Sequence, residues 1–235
     1  MSPHIIGVSG KIGSGKDYFA TKVTKVLTAK GYSVGSSSFA RPLKEEAGAL
    51  FRDLLPAIDM DETRRNSYFG KFALRYDIPE DQFEHLYSLV EEELKENPHI
   101  DGYTRSEGVR QFLQFLGTDV RRNQYENYWV ERFYDGLDSS VDFIFATDTR
   151  FANEADFALI HDGTVIRIEV PQEIIEAQTK GRDGLEYSTK ALNHLSETAL
   201  DNYEHFSIVV GRDFVDTELA DFLINRLSSQ KNEKI

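Results

Sequence analysis

The chain has 235 residues, 40% of them hydrophobic, and a formal net charge of −13. This length suits one α/β domain with an inserted subdomain, because several independent folds would need a longer chain. The acidic balance argues against a nucleic-acid partner, since wrapping nucleic acid requires a surface that neutralises many phosphates. A chain without cysteine forms no disulfide and no thiolate zinc site, which suits a reducing cytoplasm. The apolar runs are too short for a membrane span, and we expect no signal peptide and no membrane partner.

A glycine-rich loop follows the first predicted strand, residues 5–8, and precedes a helix predicted from Lys16 to Lys30. Residues 10–17 read GKIGSGKD and match the phosphate-loop pattern G-x-x-x-x-G-K, with Asp17 where Ser or Thr is usual. Strand, loop and helix in this order predict a nucleoside triphosphate site, built from backbone N–H groups, the helix start and the Lys16 cation. The predicted contacts are Lys11, Ile12, Gly13, Ser14, Gly15, Lys16, Asp17 and Tyr18.

Asp17 has alternative interpretations. A carboxylate beside a triphosphate is repelled unless Mg²⁺ lies between them, so Asp17 either holds the metal or orients the surroundings of the acceptor phosphate. The remaining alternative is a capping role at the helix start.

The next segments predict a second strand at 33–39 and a helix start at Pro42, flanked by Arg41 and Lys44. Residues 53–104 form an acidic, aromatic insertion with a helix from Pro79 to Glu96. This insertion packs against the core, covers the acceptor as a lid or forms a dimer face. Its basic residues are a solvated surface or contact a substrate phosphate: Arg64, Arg65, Lys71 and Arg75.

A second helical region covers 106–122, with a predicted interruption at Gly117. Arg110 and Gln114 lie one turn apart and face the same side. A guanidinium can grip a monophosphate and an amide can pair with a base edge, so these residues, with Gln111, fit an acceptor-nucleotide pocket. A polar surface is the alternative.

The buried strand predicted at 143–146 leads to Asp148, Arg150 and Glu154, with Asn153 predicted to cap a helix from Glu154. Asp148 is a candidate metal carboxylate, Arg150 a phosphate contact and Glu154 its anchor. The alternative is a salt-bridged corner between strand and helix.

The rest of the chain predicts strands at 164–170 and 206–210, a closing helix at 217–227 and a lid at about 172–190. Arg182, between two glycines, is the best candidate for a closing charge over the triphosphate, ahead of Arg121, Arg122, Lys180 and Lys190. His194 is interpreted as a structural hydrogen-bonding residue. Alternating strands and helices predict an α/β fold with a mostly parallel, three-layer sheet.

Taken together, several segments resemble the deoxynucleoside monophosphate kinases of tailed bacteriophages, within the P-loop nucleoside monophosphate kinase superfamily. The resemblance spans most of the chain and rests on residues 13–17, 39–44, 110–122, 148–154 and 194–197. In that family a threonine commonly follows the loop aspartate, whereas Tyr18 does here. The resemblance implies a P-loop fold with a helical acceptor-binding insertion and a small lid.

By this resemblance the chain transfers the γ-phosphate of ATP to a deoxynucleoside monophosphate with Mg²⁺, in the cytoplasm, of the host if the chain is phage-encoded. Lys16 and Asp17 then serve the donor, Asp17 and Asp148 the metal, and Arg150 and Glu154 the transfer centre. The candidate acceptor contacts are Arg41, Lys44, Arg110, Gln111, Gln114, Gly117, Thr118 and Arg122.

Two rival functions and a homodimer remain open. A small-metabolite kinase like phosphomevalonate kinase shares a similar loop ending and a Pro-Leu-Lys segment. A nucleotide-binding regulator without catalysis is the other rival, and Asp17 is the residue that suggests it.

Overall fold

The protein is described by a computed structural model over residues 2–175, 177 and 195–233. Its strands form one five-stranded sheet in the order β2-β3-β1-β4-β5, and every pairing is parallel. The strands are β1 (His4–Ser9), β2 (Val34–Ser37), β3 (Phe143–Ala146), β4 (Thr164–Ile168) and β5 (Ile208–Val210). The predicted α/β fold with a parallel sheet is confirmed.

Helices connect the strands. They are α1 (Lys16–Ala29), α2 (Ala40–Leu54), α3 (Glu62–Tyr76), α4 (Glu80–Glu96), α5 (Glu107–Gln114), α6 (Tyr128–Asp135), α7 (Ala152–Ile160), α8 (Leu195–Thr198) and α9 (Asp216–Glu233). A 3₁₀ segment, Leu55–Asp59, follows α2, and a π-helical segment, Phe115–Arg122, follows α5. None of the helices within the described ranges has both the length and the apolar character needed to cross a bilayer.

Helices cover both faces of the sheet. Ile6 and Val8 of β1 are fully buried in one apolar cluster with residues of α1 and α9. Because successive side chains of a strand point to opposite faces, Ile5 lies on the other face, the side on which α7 contacts β1 and β4. The architecture therefore has three layers, helix on sheet on helix.

The chain divides into two compact units. Unit 1 comprises Met1–Phe39 and Phe133–Ile235 and contains the sheet. Unit 2 comprises Ala40–Arg132, is helical, and has its own buried core around Phe51, Phe83 and Phe112. Unit 2 contains the predicted insertion, residues 53–104, and extends beyond it over α2 at one end and α5 at the other.

The predicted helix within the insertion is confirmed as α4, which begins at Glu80 after Pro79. Its apolar face is buried as the spacing predicts, through Phe83, Leu86, Tyr87, Val90 and Leu94. Helix α3 was not predicted, because its exposed surface includes an apolar residue, Leu74, at 87% exposure, and this obscures the helical pattern of buried apolar positions.

Two predicted helix boundaries are wrong. Gly117 does not interrupt its helix, because the backbone continues through the π-helical segment. A Cβ at Gly117 would lie 3.0 Å from Leu43 Cδ2, so this glycine permits close packing against α2. Asn153 is not a cap, because α7 begins at Ala152 and the residue before it is Phe151.

Candidate functional site

The glycine loop lies in unit 1 between β1 and α1, where its backbone needs glycine. Gly13 and Gly15 have φ angles of 78° and 90°, a left-handed region that side chains disfavour. The Ser14 N–H donates to Lys11 O at 3.0 Å, and the Ser14 side chain is buried. A Cβ at Gly10 would lie 2.5 Å from Ser14 Oγ, so the loop closes tightly only with glycine there. Tyr18, just behind the loop, is 63% exposed.

Lys16 begins α1 and turns back onto the loop. Its Nζ donates to Gly10 O at 2.5 Å and to Lys11 O at 3.1 Å. The pKa of Lys16 is lowered from 10.5 to about 8, chiefly by burial and also by the positive charges of Arg150 and Arg167, against which the negative charges of Glu197 and Asp17 raise it. Lys16 is therefore a partly desolvated cation at the position that a phosphate loop uses to hold an anion.

A buried carboxylate contacts the same loop. Glu197, 8% exposed, accepts the Ile12 N–H at 2.6 Å through Oε2. Its Oε1 accepts Arg150 Nη1 at 2.7 Å. This carboxylate joins the loop backbone to Arg150, and it lies close enough to Lys16 to raise its pKa.

A second group of charges lies beside the first. Arg167 on β4 donates to Ser9 Oγ and to Asp201 Oδ1, both at 3.0 Å. Asp201 Oδ2 accepts Lys11 Nζ at 2.6 Å. The loop is thus surrounded by two acids and three further basic side chains, all within unit 1.

Sequence reasoning missed Arg167 and Asp201 and assigned no role to Glu197. The signal for Arg167 was a single cation inside the apolar strand Thr164–Ile168. A buried cation needs an anionic partner, so this pattern predicts a carboxylate nearby, although it does not say which one.

Asp17 and Asp148 lie in different surroundings. Asp17 is exposed, and its Oδ1 accepts Thr147 Oγ1 at 2.9 Å. Asp148 accepts Ser38 Oγ at 2.6 Å through Oδ2 and the Phe39 N–H at 2.9 Å through Oδ1. Asp148 therefore holds the residues that follow β2 in place, whereas Asp17 is exposed in the first turn of α1, directly after the loop.

Mg²⁺ is bound in phosphate sites by one or two carboxylates and the substrate's phosphates. Over residues 2–175, 177 and 195–233, no three acidic or histidine side chains form a metal-binding group. The exposed carboxylate of Asp17 fits a Mg²⁺ site of the kind that uses only one or two carboxylates. Asp148 fits it less well, because both of its oxygens already accept hydrogen bonds.

Glu154 and Arg150 build the corner between β3 and α7. Glu154 is 3% exposed, and its Oε2 accepts the Arg150 N–H at 2.8 Å and the Phe151 N–H at 3.2 Å. Glu154 thus caps the start of α7 and fixes the Arg150 backbone. The guanidinium of Arg150 extends to Glu197 with its side chain 40% exposed. The corner is thus held by backbone N–H groups bound to Glu154, whereas the salt bridge of Arg150 joins it to Glu197, and Arg150 lies near enough to Lys16 to lower its pKa.

A cavity of about 680 Å³ opens beside the loop, within unit 1. The apolar part of its lining comes from the end of β4 and the residues that follow, Ile168, Val170, Pro171 and Ile175. The polar part is Lys11, Arg167, Glu169, Gln172, Thr198 and Asp201, with two basic and two acidic side chains. A cavity with this lining suits a ligand that has both an apolar part and polar groups.

The candidate acceptor residues all lie in unit 2, on α2, α5 and the π-helical segment. Arg110 donates to both carboxylate oxygens of Glu107, from Nη2 at 2.6 and 2.8 Å and from Nε at 3.0 Å, and Gln111 Nε2 donates to the same carboxylate at 2.8 Å. Lys44 Nζ lies 5.0 Å from the centre of the Tyr103 ring. Arg41, Gln114 and Arg122 are half-buried, and Thr118 is exposed.

Gly117 has a packing role, since its carbonyl accepts Trp129 Nε1–H at 2.9 Å. Arg121 is buried and paired with Glu46, so its guanidinium does not serve as the closing charge proposed for it. Arg182, Lys180, Lys190 and His194 lie outside the described residues, as does the predicted lid apart from 172–175 and 177.

No family model matches the chain, and no curated protein does. Solved structures do match, and two of them align over nearly their whole length. The crystal structure of TT1252 from Thermus thermophilus is 16% identical and covers 96% of this chain and 97% of its own, with a TM-score of 0.40. The crystal structure of APE1195 is 13% identical and covers 97% of this chain and 96% of its own, with a TM-score of 0.39. At these values the likeness carries no argument about function.

Proposed function

We propose that the chain is a kinase that transfers the γ-phosphate of ATP to a deoxynucleoside 5′-monophosphate, giving the diphosphate and ADP. The observation that carries the proposal is the loop in unit 1, where left-handed glycines, the start of α1 and a desolvated Lys16 come together. This combination is how proteins hold a phosphate chain. The sequence resemblance supplies the choice of acceptor, and the reaction takes place in the cytoplasm, where ATP is available.

Phosphoryl transfer needs positive charge near the transferring group and exact positioning more than covalent chemistry. Lys16 supplies one cation, and Arg150 supplies a second through a guanidinium that the Glu154 cap and Glu197 hold in place. Asp17 would hold Mg²⁺, and the bound ion would neutralise negative charge on the donor phosphates. The cavity beside the loop would take the nucleoside of the donor.

The test measures ADP release by a coupled assay with ATP, Mg²⁺ and each of dAMP, dGMP, dCMP and dTMP. We expect at least one of them to stimulate ADP release. Lys16→Met removes the loop cation and abolishes the stimulation, because the phosphates lose their closest positive charge. Lys25→Met is the matched control, since Lys25 is an exposed lysine on the same helix, and it retains activity.

The assay also separates the rivals. Absence of stimulation by all four deoxynucleotides contradicts the proposal. Stimulation by phosphomevalonate alone identifies a small-metabolite kinase. ATP binding with no turnover on any acceptor identifies a nucleotide-binding regulator.

A further inference from the structure

Two carboxylates, four residues apart in sequence, each join a loop residue to an arginine. Glu197 accepts the Ile12 N–H and the Arg150 guanidinium at 2.6 and 2.7 Å. Asp201 accepts Lys11 Nζ at 2.6 Å and the Arg167 guanidinium at 3.0 Å. We call Glu197 and Asp201 the acidic clasp. Both halves of the clasp have the same plan, although one acid is buried and the other is partly exposed.

The clasp restricts groups that would otherwise be free to move. Arg150 is a long side chain with 40% of its surface exposed, and an arginine in that position has many rotamers. A charge-assisted bond to a buried carboxylate selects few of them. The bond to Ile12 fixes the direction of a loop N–H, and the bond to Lys11 holds the preceding side chain. Binding a ligand to groups that are already ordered costs less entropy.

We propose that Glu197 and Asp201 are positioning residues of the donor site: they hold Arg150, Arg167 and the first half of the phosphate loop in the arrangement that receives a phosphate chain. This inference rests on the proposed function, because it takes ATP as the ligand of the loop. It makes the segment 197–201 part of the donor site although neither carboxylate is itself suited to contact phosphate. We therefore expect ATP binding to depend on the clasp indirectly, through the arginines that the two carboxylates hold.

The test is a double-mutant cycle on ATP binding, measured by calorimetry with wild type, Glu197→Gln, Arg150→Gln and the double variant. Glu197→Gln keeps the shape and removes the charge that holds Arg150, and we expect it to weaken ATP binding about tenfold. In the Arg150→Gln background the same change has a smaller effect, because Arg150, one of the two groups that Glu197 holds, is already gone. The KM for the deoxynucleotide stays unchanged, since the candidate acceptor residues lie in unit 2.

Glu204→Gln is the matched control, because Glu204 is an exposed acid a few residues further along, and its ATP affinity equals that of wild type. Thermal unfolding is recorded for each variant. If Glu197→Gln does not fold, Asp201→Asn decides, since Asp201 is partly exposed and its loss leaves no buried cavity. Unchanged or tighter ATP binding in a folded clasp variant overturns the inference, and so does a loss that adds fully to that of Arg150→Gln.

The two proposals fail in different ways. If wild type binds ATP and the clasp variants bind it more weakly, but wild type phosphorylates no deoxynucleotide, the proposed function is contradicted and the positioning role of the clasp is not. An active deoxynucleotide kinase whose clasp variants bind ATP like wild type contradicts the clasp alone.

Discussion

Raising the pH should release a nucleotide from the loop, because Lys16 loses its charge earlier than an ordinary lysine. Burial lowers the pKa of Lys16 from 10.5 to about 8. If only the charged lysine holds phosphate, the apparent dissociation constant for ADP rises about tenfold by pH 9 and about hundredfold by pH 10. A lysine of ordinary pKa would be only about 3% neutral at pH 9 and would leave the affinity unchanged.

The assay is ADP binding by calorimetry between pH 7 and 9.5, in EDTA so that no metal ionisation contributes. Phosphate oxygens titrate below this range, so the ligand keeps a constant charge. Lys16→Arg is the control, because a guanidinium stays charged throughout and its binding, although weaker, should not depend on pH here. A constant affinity of wild type up to pH 9.5, or an equal loss in Lys16→Arg, would contradict the role assigned to the charge of Lys16.

The lowered pKa of Lys16 has the opposite effect on the stability of the ligand-free chain, whose free energy of unfolding rises with pH. Between pH 8 and 10.5 the unfolded chain, with Lys16 at its ordinary pKa, binds more protons than the folded chain. The contribution of Lys16 to the free energy of unfolding therefore rises with pH in this window, while ADP binding weakens. Nucleotide binding reverses the trend, because a phosphate chain stabilises the charged lysine.

Two further changes test packing. Glu46→Gln leaves Arg121, whose side chain is 5% exposed, without its charge partner, and should lower the free energy of unfolding in urea by about 3–5 kcal/mol. The control is Glu45→Gln at an exposed position, which should lower it by less than about 0.5 kcal/mol. Equal losses in the two variants would contradict the buried pair. Gly10→Ala places a Cβ 2.5 Å from Ser14 Oγ, so ATP binding should weaken by about tenfold or more, and unchanged calorimetric affinity would show that the loop has room.

Local sequence signals predicted the sheet and the loop well. The sequence segments that form β1, β3 and β4 are short and rich in β-branched or aromatic residues. This pattern is enough to predict a buried strand of a parallel sheet. The glycines of the loop adopt left-handed backbone angles that other residues disfavour. The glycine pattern alone was therefore enough to predict a tight loop at this place.

The partners of the loop could not be predicted, since they come from distant parts of the chain. Ile12 and Glu197 are separated by 185 residues and Lys11 and Asp201 by 190. Sequence spacing says nothing about such contacts, and only the sheet order brings the ends of β1 and β4 together. The same limit explains Asp148, whose hydrogen bonds to Ser38 and Phe39 depend on β2 lying beside β3.

The π-helical segment also escaped prediction, because glycine reads as a helix breaker when its neighbours are unknown. At Gly117 the contact with Leu43 requires a residue without a side chain, and the wider turn lets the chain continue. The α-helical spacing that relates Arg110 to Gln114 therefore does not continue through Phe115–Arg122.

The central position of β1 has a consequence for how the loop can respond to a ligand. β1 is paired on both sides, with β3 and with β4, so its amides exchange with solvent only when the sheet itself opens. The loop that follows it has no such ladder and is held by the bonds of Ile12 and Lys11 to the acidic clasp. The protein thus joins a strand that is paired on both sides directly to a loop held by side chains, and we expect the amides of the loop to exchange faster than those of β1.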